Sequence, residues 1–356
     1  MSFTRSDWRL IAICAVAAIA AGITRFVDAG TIVPFVLSGI ALALLASLVG
    51  RSVEALGDRL GAGATGVVQS ALGNLPELFV VLFALRDGLY DVAAASIVGS
   101  ILANVLLVLG LAFVVGGAKH GTQKFGAETA RTISMLLVLA VFALLVPGLT
   151  AALHTPAAGH ERGLSIIVSI LLLGLFAASL PGAIKRRKTA GEPVEQHEGE
   201  PHGPAWPMGV AIGMLAVTGV GAAFVSEWFV HALEPAMSSL GISQAFAGLV
   251  IVAIAGNAVE NVVGIQLAAR NQSDYALSVI LQSPLQIALV VAPALVLLSP
   301  LVGASFTLVL PPLLMAALIM SVLVAVIVVL DGESTWLEGA TLVVLYCVIA
   351  AAFWWG

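Results

Sequence analysis

The chain has 356 residues, of which 60% are hydrophobic and only 10% charged, and its mean hydropathy is +1.09. Such a composition excludes a soluble globular domain and places the protein in a bilayer. The formal net charge of −5 excludes little, because in a membrane chain the placement of charges matters more than their sum.

About eleven apolar stretches follow one another, each near the 20 residues that cross the hydrocarbon core as a helix. They begin near residues 10, 32, 64, 91, 130, 164, 207, 245, 274, 304 and 336. The first is Ala-rich and follows Arg5 and Arg9, a pattern shared with leader peptides, and is read as a retained helix. Of the 15 Lys and Arg residues, alternating spans leave only Arg25, Arg86 and Arg162 on one face. The excess of positive charge inside then puts the N-terminus in the cytoplasm and the C-terminus outside, in an integral protein of a prokaryotic plasma (inner) membrane.

The longest connection, 185–206, joins the basic cluster Lys185, Arg186, Arg187 and Lys188 to an acidic run with Glu192, Glu195, Glu198 and Glu200. It reads as a solvated cytoplasmic linker between two halves. Cys14 and Cys347 have no partner at ligand spacing and read as packing residues. All six histidines are expected in connections, which argues against zinc or copper.

The halves share a motif. Gly73-Asn74-Leu75-Pro76-Glu77 in the third span and Gly256-Asn257-Ala258-Val259-Glu260 in the eighth both read Gly-Asn-x-x-Glu, 183 residues apart. The same ungapped offset pairs Asp91 with Asp274 and Ser100 with Ser283. Apolar matches arise by chance, but not the Gly-Asn, Glu, Asp and Ser pairs together. The copies lie five spans apart, an odd number, so they cross in opposite directions. The repeat is inverted, the arrangement in which carriers hold a substrate near the midplane.

A carboxylate at membrane depth costs about 3 kcal/mol on insertion scales, which makes Glu77 and Glu260 functional candidates. Gly73 and Gly256 can loosen the helix so that backbone carbonyls become ligands, and Pro76 reinforces the break by removing a donor. Asn74 and Asn257, three residues before each glutamate, share its helix face. Two carboxylates, two amides and freed carbonyls form an all-oxygen set that suits Ca2+ better than Mg2+. Like charges crowded into a dry site also take up protons, so Ca2+ and H+ compete, and two carboxylates balance one divalent ion or two protons. A purely structural role for both glutamates does not account for duplication at matched depth.

Ser100, Ser283, Asn104 and Gln286 are secondary candidates, as ligands or a proton path, against a back-bonded or helix-contact role. Glu227, near the outer end of the seventh span, is either an ion-access group or an interfacial residue. Asp331, Glu333 and Glu338 are expected to face solvent. No catalytic residue and no cofactor are expected; Ca2+ and H+ are cargo, lipid is the surroundings, and nucleic acid is not a partner.

Three segments carry a family resemblance: Gly73 through Glu77 on to Gly99-Ser100-Ile101-Leu102-Ala103-Asn104; Gly256 through Glu260 on to Ser283-Pro284-Leu285-Gln286-Ile287-Ala288-Leu289; and Asp331-Gly332-Glu333-Ser334-Thr335-Trp336-Leu337-Glu338-Gly339. There the sequence resembles the Ca2+/H+ antiporters of the cation/Ca2+ exchanger superfamily. The resemblance implies an all-α polytopic fold: an accessory first helix (1–30), two inverted five-helix repeats (31–184 and 207–356), and the linker 185–206 between them. It also implies Ca2+ binding at Glu77, Asn74, Glu260 and Asn257. Pro76 stands as in the sodium-coupled branch, Asn261 where a histidine is common, and Gln282 where a glycine precedes Ser283. The sodium-coupled branch favours Thr/Ser-rich repeats, and here the motif positions carry Asn. Proton coupling is therefore the expectation, with a Na+-coupled exchanger or an exchanger of another divalent cation as the alternative. An intramembrane carboxylate enzyme would need a nucleophile-base set that does not accompany the pair, and a passive channel would move Ca2+ without returning protons.

Overall fold

The computed structural model describes residues 3–27, 29–60, 72–189 and 206–355, with the side chains at 57–60, 129, 180–189, 259 and 260 outside the described ones. Helices account for nearly all of it: α1 (Arg5–Phe26), α2 (Ile32–Leu60), α3 (Leu75–Arg86), α4 (Tyr90–His120), α5 (Ala127–Ala152), α6 (Glu161–Thr189), α7 (Met208–Leu240), α8 (Gln244–Gly256), α9 (Ala258–Ala269), α10 (Ser273–Val302), α11 (Pro312–Val329) and α12 (Trp336–Phe353). Among the described residues nine are long and apolar enough to cross a bilayer, and the pair Gln244–Gly256 and Asn261–Ala269, bent by 63°, is a further candidate. The expected third span, from near 64, begins within 61–71, outside the described residues, and its latter part is α3.

The first two departures from the expected layout have local causes. The tenth span starts at Pro312 rather than near 304, because proline suits the first helical position and pushes the residue before it out of the α region. The connection 121–126 pairs with 330–335 through a two-residue antiparallel ribbon, β1 (Gln123–Lys124) and β2 (Glu333–Ser334). Gly332, at φ +81°, makes the turn, and its carbonyl accepts from Phe125 N–H at 2.9 Å. His231 lies inside α7 and His120 ends α4, so the histidines are not all in connections; His197 and His202 lie outside the described residues. The basic cluster 185–188 continues α6, and 190–205 lie outside the described residues.

The chain forms two compact units, and each draws on both halves of the sequence. The first comprises Met1–Phe83 and Gly174–Gly241. In it α1 starts with a capping box between Thr4 and Asp7, and its buried residues, Asp7, Cys14 and Ala21, recur every seventh position. That stripe is narrow, so the rest of α1, including Val16 and Ile19, is left apolar and exposed, as a lipid-facing helix requires. Arg51 of α2 pairs with Asp7 at 2.6 Å, and Cys14 lies against the Leu44 carbonyl. Packing of α2 on α7 centres on stacked Phe35 and Phe229 rings, 5.3 Å apart.

The second unit comprises Ala84–Leu173 and Ile242–Gly356. Here α4 crosses α8 in backbone contact. A Cβ on Gly99 would fall on the backbone of Leu249, and one on Gly248 on the Val92 carbonyl. Further along, α4 meets α12 through Gly110 and Gly339 in the same manner. Without a hydrophobic drive between helices in lipid, such small-residue crossings supply close packing.

Candidate cation site

In the first unit the chain turns at Gly73 and Asn74 and restarts as α3, with Leu78 N–H donating to the Asn74 carbonyl at 3.0 Å. Pro76 sits in the first turn, where its missing N–H has no intrahelical use. Glu77 is in that same turn and only 1% exposed, and Asn74 is also buried. Ser226 of α7, fully buried, lies 3.5 Å from the Pro76 carbonyl, a long contact. Glu227 lines a pocket of about 430 Å3 with Leu75, Phe79, Phe83 and Phe224. It lies inside α7, about 20 Å from the end at Leu240 at 1.5 Å per residue.

In the second unit α8 ends at Gly256 and Asn257 takes φ −108° and ψ 23° before α9 restarts. Its side chain is fully buried and engaged at both ends. The amide donates to Ser100 Oγ at 2.9 Å and to the Ala253 carbonyl at 3.0 Å, while Oδ1 accepts from Ser283 Oγ at 3.3 Å. Ser100 and Ser283, equivalent under the repeat, thus meet on one asparagine, and the Gly99 crossing is what brings α4 close enough. Asn104, also fully buried, donates to the Ser100 carbonyl at 2.9 Å. Among the described residues its Oδ1 has no hydrogen-bond partner, nor has Oδ1 of Asn261, one turn beyond Asn257. Gln286 is half-buried at the start of a π-helical stretch. Glu260 lies in the first turn of α9, and its side chain lies outside the described ones.

Two features escaped the sequence reading. One is the half-buried place of Asn261 beside the site, since the sequence marks that residue only as a departure from the family pattern. The other is π-helical backbone: Ala103–Val108 in α4 and Ile287–Val291 in α10, with a further stretch, Ala247–Val252, in α8. The repeat offset of 183 carries the first almost onto the second. Such bulges widen a helix by one residue and recur at functional sites, and six residues carry no periodicity by which to foresee them.

The chemistry among the described side chains is therefore amide and hydroxyl oxygen in the second unit and a buried carboxylate in the first. Among the described residues no three His, Cys, Asp or Glu side chains gather into a metal cluster. The signature of the family described as "Sodium/calcium exchanger protein" matches this chain twice, at residues 30–184 and again at 210–355. The chain belongs to the sodium/calcium exchanger family. Among its relatives is the Ca(2+)/H(+) antiporter ChaA of Bacillus subtilis (strain 168), 36% identical over 313 residues, 87% of this chain and 88% of that protein. The Ca(2+)/H(+) antiporter of Synechocystis sp. is 32% identical over 336 residues, 90% of each chain. The solved structure of native YfkE superposes with a TM-score of 0.81 at 33% identity, covering 97% of this chain and 99% of that one. The H+/Ca2+ exchanger CAX shares the fold, with a TM-score of 0.78 at 16% identity, covering 98% of this chain and 92% of that one. This exchanger-family fold is an all-α polytopic membrane protein, as expected from composition.

Proposed function

We propose that the protein is a secondary transporter exchanging Ca2+ for H+ by alternating access, with Glu77 and Glu260 binding Ca2+ and protons competitively. The duplication carries this reading: one glutamate per half, each in the first turn of a helix that restarts after Gly-Asn. Asn74 and Asn257 supply amide oxygens, and Ser100, Ser283, Asn104 and Gln286 line the route or complete the ligand set. Support comes from two family matches, one per half, and from relatives named as Ca2+/H+ antiporters. Ca2+ and H+ are substrates, and transport needs neither a catalytic residue nor a resident cofactor. The inverted repeats are 31–184 and 207–356, the N-terminus faces the cytoplasm and the C-terminus the outside.

Purified protein in sealed liposomes takes up Ca2+ when a pH gradient is imposed, and internal pH shifts as Ca2+ moves. Glu77→Gln and Glu260→Gln each reduce that uptake by roughly 100-fold or more, since even groups supporting a metal ligand cost 10- to 100-fold. Uptake that survives both changes ends this reading. Uptake driven by a Na+ gradient at constant pH transfers the protein to the sodium-coupled branch, for which Pro76 speaks.

A further inference from the structure

The offset that pairs Ser100 with Ser283 also pairs Asp91, in the first turn of α4, with Asp274, in the first turn of α10. The two joints are built differently. Asp274 Oδ1 accepts the N–H of Gly126, the residue that leads into α5, so this carboxylate is held by the helix it abuts. The corresponding helix of the other half is α11, which opens on Pro311 and Pro312 and so offers no N–H there. Instead of a closed joint there is a pocket of about 460 Å3 lined by Asp91, Tyr90, Ser305, Thr307, Pro311 and Pro312 among others. Asp91 is exposed, and no Lys, Arg or His lines the pocket. The segment leading into α11 is fixed, because Ser299 Oγ accepts Phe306 N–H and Ser165 Oγ accepts Leu308 N–H, each at 3.0 Å. Ser305 and Thr307 are therefore presented on ordered backbone.

We propose that this pocket is a low-affinity docking site for a hydrated divalent cation, with Asp91 supplying the charge and Ser305 and Thr307 the hydroxyl oxygens. One carboxylate, two aliphatic hydroxyls, no positive group and no nitrogen or sulfur ligand select a hard cation. At about 30 Å3 per water, the volume holds an ion together with its first hydration shell. A lone carboxylate gives a dissociation constant on the order of 10−3 M, so the site fills and empties with local concentration. Asp91 precedes Ser100 by about 14 Å along α4, so the pocket serves as a vestibule at one end of the helix that carries Ser100. Only the choice of Ca2+ as occupant rests on the exchange reading above.

Tb3+, a luminescent stand-in for Ca2+, tests the site on full-length protein in detergent carrying Glu77→Gln and Glu260→Gln, which silence the proposed transport carboxylates. Tyr90 is the antenna. Tyrosine-sensitised Tb3+ emission that millimolar Ca2+ displaces is expected, falling at least about fivefold with Asp91→Asn as the only charged ligand is lost. Tyr90→Phe removes the same emission, and Thr307→Val raises the Ca2+ concentration needed for displacement by about threefold. Emission untouched by Asp91→Asn, or displaced by ethanolamine as readily as by Ca2+, overturns the site. Failure of the exchange reading shows elsewhere, as transport that survives the glutamate changes, and leaves the Tb3+ result standing.

Discussion

Asn74 and Asn257 occupy one place in a duplicated motif, yet the helix that follows each is entered by different means. At Asn74 the backbone turns and restarts with Pro76 in the first turn of α3. At Asn257 there is no proline, and the break is tied by the side chain to the Ala253 carbonyl, Ser100 and Ser283. The first carries its own proline. The second involves two serines from other helices of the second unit, Ser100 on α4 and Ser283 on α10. A pair of inverted repeats thus need not be chemically symmetric to share a fold.

The difference is broken most severely at the crossing of α4 and α8, which delivers Ser100 to Asn257. A Cβ on Gly99 or Gly248 meets backbone, which cannot rotate away as a side chain can. Gly99→Ala and Gly248→Ala are each expected to cost about 3 kcal/mol or more, the upper range for overpacking. Thermal unfolding in detergent reads this directly. An unchanged midpoint for both would mean that the two helices do not touch through these glycines.

Why some of this was readable beforehand, and some was not, follows from where polarity breaks an apolar background. Glu77, Glu260 and their Gly-Asn partners stand out because charge and amide are costly in a span, so the candidate residues and the all-α membrane fold were visible at once. Gly99 and Gly248 look like any small residue until a second helix is laid across them. The serines were visible as a pair, but not that both meet Asn257, because that contact joins segments 157 residues apart. The start of α11 was misplaced because residues 304–311 are apolar enough to extend a span, and only the Pro311-Pro312 step marks where the helix can begin.

A double-mutant cycle on Ser100 and Asn257 sharpens the comparison at the next lower magnitude. Asn257→Ala removes two donated bonds and one accepted bond and leaves Ser283 without its acceptor, for an expected loss of about 1–2 kcal/mol. Coupling to Ser100→Ala is expected near 0.6 kcal/mol, the average for polar pairs between membrane helices. Additive losses in thermal unfolding would show that the bond contributes nothing to the second break.

The smallest effect is expected at Pro76, and its size decides which residue interrupts the helix in the first copy. A proline in the first turn adds no strain, since its N–H would lack an intrahelical acceptor and its fixed φ already suits a helix. If Gly73 and Asn74 set the turn, Pro76→Ala leaves α3 starting where it does and changes stability by no more than about 0.5 kcal/mol, as for a substitution that removes no buried bond. Pro76 is buried, so packing lost with the trimmed ring comes on top of that figure, and the Ca2+ uptake measurement separates it from loss of the break. A loss above about 2 kcal/mol, together with a fall in Ca2+ uptake as large as that of Asn74→Ala, would instead assign the break to the proline. The two copies would then differ in what makes the break itself, covalent in one half and hydrogen-bonded in the other, rather than only in how it is reinforced.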